Sequence, residues 1–194
     1  MYKTIALDPP WLERGGGKYK RGADRHYPLM STAEIVATVM SSEPYGRLAG
    51  ASHCWCWVTD NYLEDGLRLM KAMGFRYVRT LAWVKVKRTV ALPRDPGSPH
   101  TEITNAFAGE LLSIGLGQYL RGAHELALLG VRGDAMVPAT ADRMPSVVFA
   151  PKAKHSEKPQ AAFDVFERCS PGPRVEMFAR KARPGWDAWG NEAP

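Results

Sequence analysis

Three cysteines, Cys54, Cys56 and Cys169, among 194 residues are too few and too oddly numbered for a disulfide framework, so reduced thiols are expected. No second ligand pair follows His53, Cys54 and Cys56 at zinc-like spacing. Their alternation reads as a strand, and core packing accounts for them better than a metal does. Nowhere do about 18 apolar residues run uninterrupted, which argues against a membrane-spanning helix. Asp8 and two prolines cut the first apolar stretch short, so it does not read as a secretion signal, and a soluble, cytoplasmic protein is expected. The glycine fingerprint that opens a dinucleotide fold and the phosphate-cradling P-loop are both missing, which disfavours nucleotide-cofactor oxidoreductases. There is no internal repeat.

What is present is a chain with 45% hydrophobic residues, six tryptophans and a net charge of +6. That is enough for one core-bearing domain spanning 1–194, and short for two. The positive balance fits a polyanionic partner, nucleic acid more than membrane, although a basic protein without such a partner remains an alternative.

Strand and helix patterns alternate along the chain. Thr4 to Leu7 reads as a buried strand. Ser31-Thr32-Ala33-Glu34 is a capping box opening a helix to about Met40 with Ile35, Val36 and Val39 inward, and Pro44 lies beyond its end. His53 to Thr59 reads as a strand, and Asp60 as the cap of a helix carrying Leu63, Leu67, Met70 and Met73 before Gly74 ends it. Phe75 to Val86, Leu126 to Val131, Ser146 to Ala150 and Val175 to Ala179 read as further strands, and Pro159 to Arg168 as a helix. The expected fold is α/β, a mostly parallel sheet with helices on both faces. A glycine-rich basic loop at 13–25 is expected to be mobile, and a long Pro- and Gly-interrupted excursion occupies 89–120. Lys18, Lys20 and Arg21 on the loop, with Lys85, Lys87 and Arg88 at a strand end, are candidate contacts to a nucleic-acid backbone, or equally a solvated basic surface.

Asp8-Pro9-Pro10-Trp11 directly follows the first strand, which puts a carboxylate at the carboxyl end of a buried strand, where open α/β sheets bind ligands. Two prolines fix φ and remove N–H donors, leaving a stiff array dominated by acceptors: the Asp8 carboxylate and the Pro9 carbonyl. Such an array suits holding an exocyclic amino group of a base, with Trp11 stacking on the base face. A rigid turn with no chemistry is the plain alternative for the tetrapeptide taken alone.

The ordered set of segments resembles the MT-A70 adenine-N6 methyltransferases over most of the chain. The resemblance rests on Asp8-Pro9-Pro10-Trp11, His26-Tyr27-Pro28-Leu29-Met30-Ser31, Trp57-Val58-Thr59, Trp83-Val84-Lys85, the run from Glu125 to Gly133, His155-Ser156-Glu157-Lys158-Pro159, Glu176-Met177-Phe178-Ala179-Arg180 and the run from Gly185 to Glu192. The compact form looks more like the bacterial and phage members. The resemblance implies a Rossmann-like sheet with permuted order, in which the catalytic motif comes first, the last forty or so residues build much of the cofactor pocket, and the two chain ends meet. It implies S-adenosyl-L-methionine as cofactor, with Asp8, Lys158, Glu176, Met177, Phe178, Arg180, Asn191 and Glu192 around it. Asp8, Pro9, Pro10 and Trp11 would be catalytic. Tyr27, Glu125 and Lys158 would lie beside the target base. No metal is implied.

Two departures bear on that pocket. Ala182 and Arg183 stand where larger relatives carry polar residues after the arginine, which puts one ribose contact in doubt. Only seven residues precede Asp8, where larger relatives use an upstream segment beside the cofactor's adenine, so other residues or water are expected to read that edge. Taken singly, Arg180, Lys181 and Arg183 also read as a solvated basic run, and Glu125 and Glu176 as partners of surface lysines. DNA is the favoured substrate, with RNA, or a noncatalytic nucleic-acid-binding subunit, as alternatives; a homodimer or a partner subunit would help hold a duplex.

Overall fold

The computed structural model describes residues 1–12, 29–88, 111–115, 119–153 and 157–190. The expected basic loop at 13–25 and most of the 89–120 excursion lie outside the described residues. The elements in chain order are β1 (Tyr2–Leu7), α1 (Thr32–Ser41), a short α2 (Glu43–Gly46), β2 (Leu48–Val58), α3 (Leu63–Ala72), β3 (Arg76–Val86), β4 (His124–Arg132), β5 (Val147–Pro151), α4 (Gln160–Cys169), β6 (Arg174–Met177) and β7 (Trp186–Trp189).

Among the described residues the strands form one sheet in the order β5-β3-β4-β2-β1-β6-β7. The pairs β1–β2, β1–β6, β3–β5 and β6–β7 are parallel, whereas β4 runs antiparallel to both β2 and β3. The parallel expectation therefore holds except at β4. The two chain ends meet, since Leu7 pairs with Met177 in register.

Period-two alternation divides the core into two layers. On one face Ile5 and Leu7 of β1, Cys54, Cys56 and Val58 of β2 and Leu128 of β4 pack under Ile35 and Val39 of α1 and Leu69 and Met70 of α3. On the other, Ala6, Trp55, Trp57, Trp83 and Ala127 pack under Ala162, Phe163 and Phe166 of α4. Trp55 stacks on Phe166 with centroids 4.2 Å apart. Cys54 and Cys56 are thus core residues, and burial pushes both thiols well above the ordinary cysteine value. His53 is held by Ser170 Oγ and the Met136 carbonyl, each at 2.8 Å.

Several boundaries differ from those read in the sequence. The capping box forms as expected, with Ser31 and Glu34 bonding reciprocally. Pro44 lies beyond the end of α1, as expected, where Ser42 caps the separate short helix α2. Asp60 starts a 3-10 turn through Tyr62 instead of capping α3, and Leu63 is exposed. β6 stops at Met177, two residues early, because Phe178 takes a left-handed conformation at φ 59°. Polar Asp187 hid β7 from a reading based on apolar runs.

Candidate active site

Strand order reverses at β1. The chain leaves β1 for β2 on one side, while β6 and β7 lie on the other. Such a switch point opens a crevice beyond the carboxyl ends of the two central strands. Asp8 leaves β1 there and Phe178 leaves β6 beside it, with the Asp8 N–H donating to the Met177 carbonyl at 3.4 Å.

The motif after β1 is rigidly tied. Trp11 N–H donates to the Pro9 carbonyl at 2.9 Å, and the Pro10 carbonyl accepts from Met30 N–H at 2.8 Å. The Trp11 ring is 8% exposed. It stacks on Tyr62 at 5.5 Å between centroids, and its Nε1 donates to the Trp57 carbonyl at 3.1 Å. Trp11 therefore braces the turn from inside the core instead of offering a ring face for stacking, because its neighbours β2 and Tyr62 enclose it. Among the described residues the turn uses one lone pair of the Pro9 oxygen, and the other suits an incoming donor.

Charged side chains from four segments converge on Asp8. Lys158, just ahead of α4, places Nζ 2.8 Å from Asp8 Oδ1 and 3.3 Å from Glu125 Oε2. Glu125 Oε1 in turn sits 2.6 Å from Lys85 Nζ, and Arg180 Nη2 lies 3.9 Å from Asp8 Oδ2. Burial by itself would push the Lys158 ammonium down, but Asp8 and Glu125 outweigh it and hold the value above the ordinary lysine range. Burial likewise works against Glu125 ionising, and Lys158 and Lys85 reverse it, so that Glu125 lies below the ordinary carboxylate range. Lys158 is thus a fixed cation and Glu125 a fixed anion near neutral pH. Lys85 is engaged inside this network with its ammonium 5.3 Å from the Trp83 ring, which corrects its reading as a backbone-phosphate contact. Lys87 and Arg88 are exposed, as such contacts require, and Arg88 Nε donates to the Lys152 carbonyl.

At the β6 side Glu176 is buried and close enough to feel Asp8; burial raises its value, and Arg183 partly offsets the rise. Phe178 sets its ring against Trp189 edge-on at 6.3 Å. Gly190 passes so near that a Cβ there would meet Phe178 Cα at 3.0 Å, so only glycine lets β7 end against the crevice wall. Met177 has its side chain fully buried among core residues, with Sδ 3.9 Å from Ser42 Oγ. Its side chain therefore belongs to the α1 layer, and only its backbone borders the crevice.

The family model for MT-A70 matches residues 2–192. The chain belongs to the MT-A70 family. Among curated relatives it is 24% identical over 213 residues to the Type II methyltransferase M.MunI of a Mycoplasma species, covering 100% of this chain and 78% of that protein. It is 28% identical over 199 residues to the human N(6)-adenine-specific methyltransferase METTL4, covering 98% of this chain and 37% of that one. To the zebrafish (Danio rerio) N(6)-adenosine-methyltransferase subunit METTL3 it is 28% identical over 196 residues, with 98% and 28% covered. The chain spans only 26% of a putative Medicago truncatula MT-A70-like relative that it matches at 26% identity.

Of the residues assigned by MT-A70 resemblance, Asp8, Glu125, Lys158, Arg180 and Glu176 gather around the switch point. Lys18, Lys20, Arg21, Tyr27, Asn191 and Glu192 lie outside the described residues. Tyr62, which backs Trp11, escaped the sequence reading, and Arg183, read there as a departure from the family and as part of a solvated basic run, is buried and reaches Glu176. The Pro184-Gly185 pair was the available signal for Arg183, because such a pair makes a tight turn that can drive its leading residue inward.

Proposed function

We propose that this chain, as a single methyltransferase domain over 1–194, transfers a methyl group from S-adenosyl-L-methionine to N6 of adenine in DNA. The observation that carries the reading is the Asp8–Lys158–Glu125–Lys85 chain of alternating charges at a switch-point crevice. The donor set suits the cofactor: Lys158 and Arg180 match its carboxylate, and Glu176 matches its positive charge. When bound, the cofactor supplies an electrophilic methyl group on sulfur.

An adenine amino nitrogen is a poor nucleophile while its lone pair is delocalised into the ring. Hydrogen bonds from both amine hydrogens, one to Asp8 and one to the second lone pair of the Pro9 carbonyl, fix the nitrogen and favour pyramidal geometry. This is catalysis by orientation and preorganised charge, and it needs no strong base. Lys158 fixes the rotamer of Asp8, and Lys85 fixes Glu125, so the acceptors are in place before substrate arrives. A base inside a duplex is out of reach of such a crevice, so the target is taken in flipped from the stack.

DNA is favoured because the chain spans most of M.MunI but only a fraction of the plant and animal relatives. A second copy or partner subunit would extend the surface that grips a duplex, and exposed Lys87 and Arg88 would contribute phosphate contacts. The intact Asp8-Pro9-Pro10-Trp11 turn favours an enzyme over a noncatalytic subunit. The test is Asp8→Asn: turnover is expected to fall at least about 100-fold, as for loss of one preorganised group, with cofactor affinity within a few-fold. Unchanged turnover would remove Asp8 from catalysis.

A further inference from the structure

Arg183 was read in the sequence as one of three surface cations, yet it is only 6% exposed. It leads the turn Arg183-Pro184-Gly185-Trp186, closed by Trp186 N–H on the Arg183 carbonyl at 3.1 Å, with Gly185 at φ 77°. Proline second and a positive-φ glycine third is the sequence that a type II turn demands.

Both ends of that turn dock on one stripe of α4. Gln160, Phe163 and Glu167 fall at i, i+3 and i+7, hence on one helix face. Trp186 meets the Phe163 ring edge-on at 5.4 Å and donates Nε1 to Glu167 at 2.9 Å. The Arg183 guanidinium lies 3.4 Å from the Phe163 ring centroid, with Nη1 donating to Gln160 Oε1 and Nε 3.4 Å from Glu176 Oε2. A planar guanidinium stacked on one face and hydrogen-bonded at its rim has little freedom left.

We propose that Arg183 is a positioning residue for the cofactor pocket: clamped by Phe163 and Gln160, it holds the Glu176 carboxylate in its charged form and in one rotamer at the crevice beside Asp8. This rests on the reading of the crevice as an S-adenosylmethionine site. Among the described residues, the charged groups that face Glu176 are Arg183, Asp8 and Lys181. Burial and Asp8 both disfavour its charge, whereas Arg183 and Lys181 favour it, and Lys181 is exposed and already paired with Glu157. Arg183 is thus the buried cation that offsets the burial of Glu176. Without it, burial and Asp8 would leave Glu176 holding its proton to higher pH than in the intact protein, and the cationic cofactor would lose a countercharge.

The test measures cofactor affinity by calorimetry from pH 5.5 to 8.5 on the full chain, each variant expressed relative to wild type at the same pH so that titration of the ligand itself cancels. Arg183→Met keeps the stem over Phe163 and removes the charge. Its relative affinity is expected to be lowest, at least tenfold down, at the acid end of the range and to recover with rising pH, by up to about tenfold per unit, as one proton leaves Glu176. Arg183→Lys, which restores a charge, should show a flat relative profile even where it binds less tightly. In a Glu176→Gln background the Arg183→Met change should add little, because there is no carboxylate left to hold. A pH-independent loss in Arg183→Met that persists in the Glu176→Gln background would overturn the proposal, as would wild-type affinity across the range. If wild type itself does not bind the cofactor, the reading of the crevice falls first, and this inference with it.

Discussion

Glu125 shows most clearly how the site's residues depend on one another. It accepts from Lys85 on one oxygen and Lys158 on the other, so its charge links two cations that would otherwise repel. Burial raises a carboxyl's value and these two ammonium groups bring it below the ordinary one. A depressed folded value means that the stabilisation is complete above the unfolded carboxylate value of about 4.3 and is lost as pH falls through the lower folded value. Glu125→Gln is therefore expected to melt roughly 3–6 °C below wild type at pH 7, the cost of a lost charge-assisted hydrogen bond in a chain of this size. The gap should close only as pH falls through the depressed folded value of Glu125, below which both proteins carry a neutral side chain. Calorimetric melts across pH read this directly, and a gap independent of pH would show that Glu125 contributes by shape alone. The presence of Asp8, Glu125 and Lys158 was legible in the sequence, because the motifs carry them. That Trp11 faces inward was not, since an aromatic after two prolines can stack on a ligand or on the core, and only the position of Tyr62 decides between them.

At the scale of elements, strands were legible wherever apolar runs were uninterrupted. α1 was legible through its capping box, whose two reciprocal bonds depend only on residues three apart. β7 was not, because Trp186 and Trp189 are separated by polar and small residues and its pairing with β6 is fixed by a turn rather than by pattern. The antiparallel direction of β4 was hidden too, since periodicity sets which residues face inward but not which way the strand runs. Helix α3 lies unusually close to the sheet at Gly66, where a Cβ would come within 2.4 Å of Val58 Cγ1 and 3.2 Å of Leu128 Cδ1. Val58 is β-branched and fully enclosed, so it has little room to yield. Gly66→Ala is expected to lower stability by about 1–3 kcal/mol through overpacking, despite alanine's better helix propensity. Denaturant melts check this, and a stabilised variant would mean that α3 can lift from the sheet without cost.

Across the whole molecule, the permuted order has a physical consequence. A site that begins at residue 8 needs β6 and β7, residues 174–189, to be complete, because β1 gains its second neighbour only from the chain's far end. Cofactor affinity and closure of the β1–β6 pairing should thus be lost together on truncation, while the β2–β4–β3 part, with its own tryptophan layer, is built from contiguous chain. The net charge of +6 favours a polyanionic substrate without selecting the polymer, since phosphate contacts carry no such information. The measurement that decides the central claim is incubation with isotope-labelled S-adenosylmethionine and matched DNA and RNA pools, followed by nucleoside mass spectrometry, with Asp8→Asn alongside. The account predicts labelled N6-methyldeoxyadenosine from DNA with wild type and none with the variant; label confined to RNA, or no label in either pool, would contradict it.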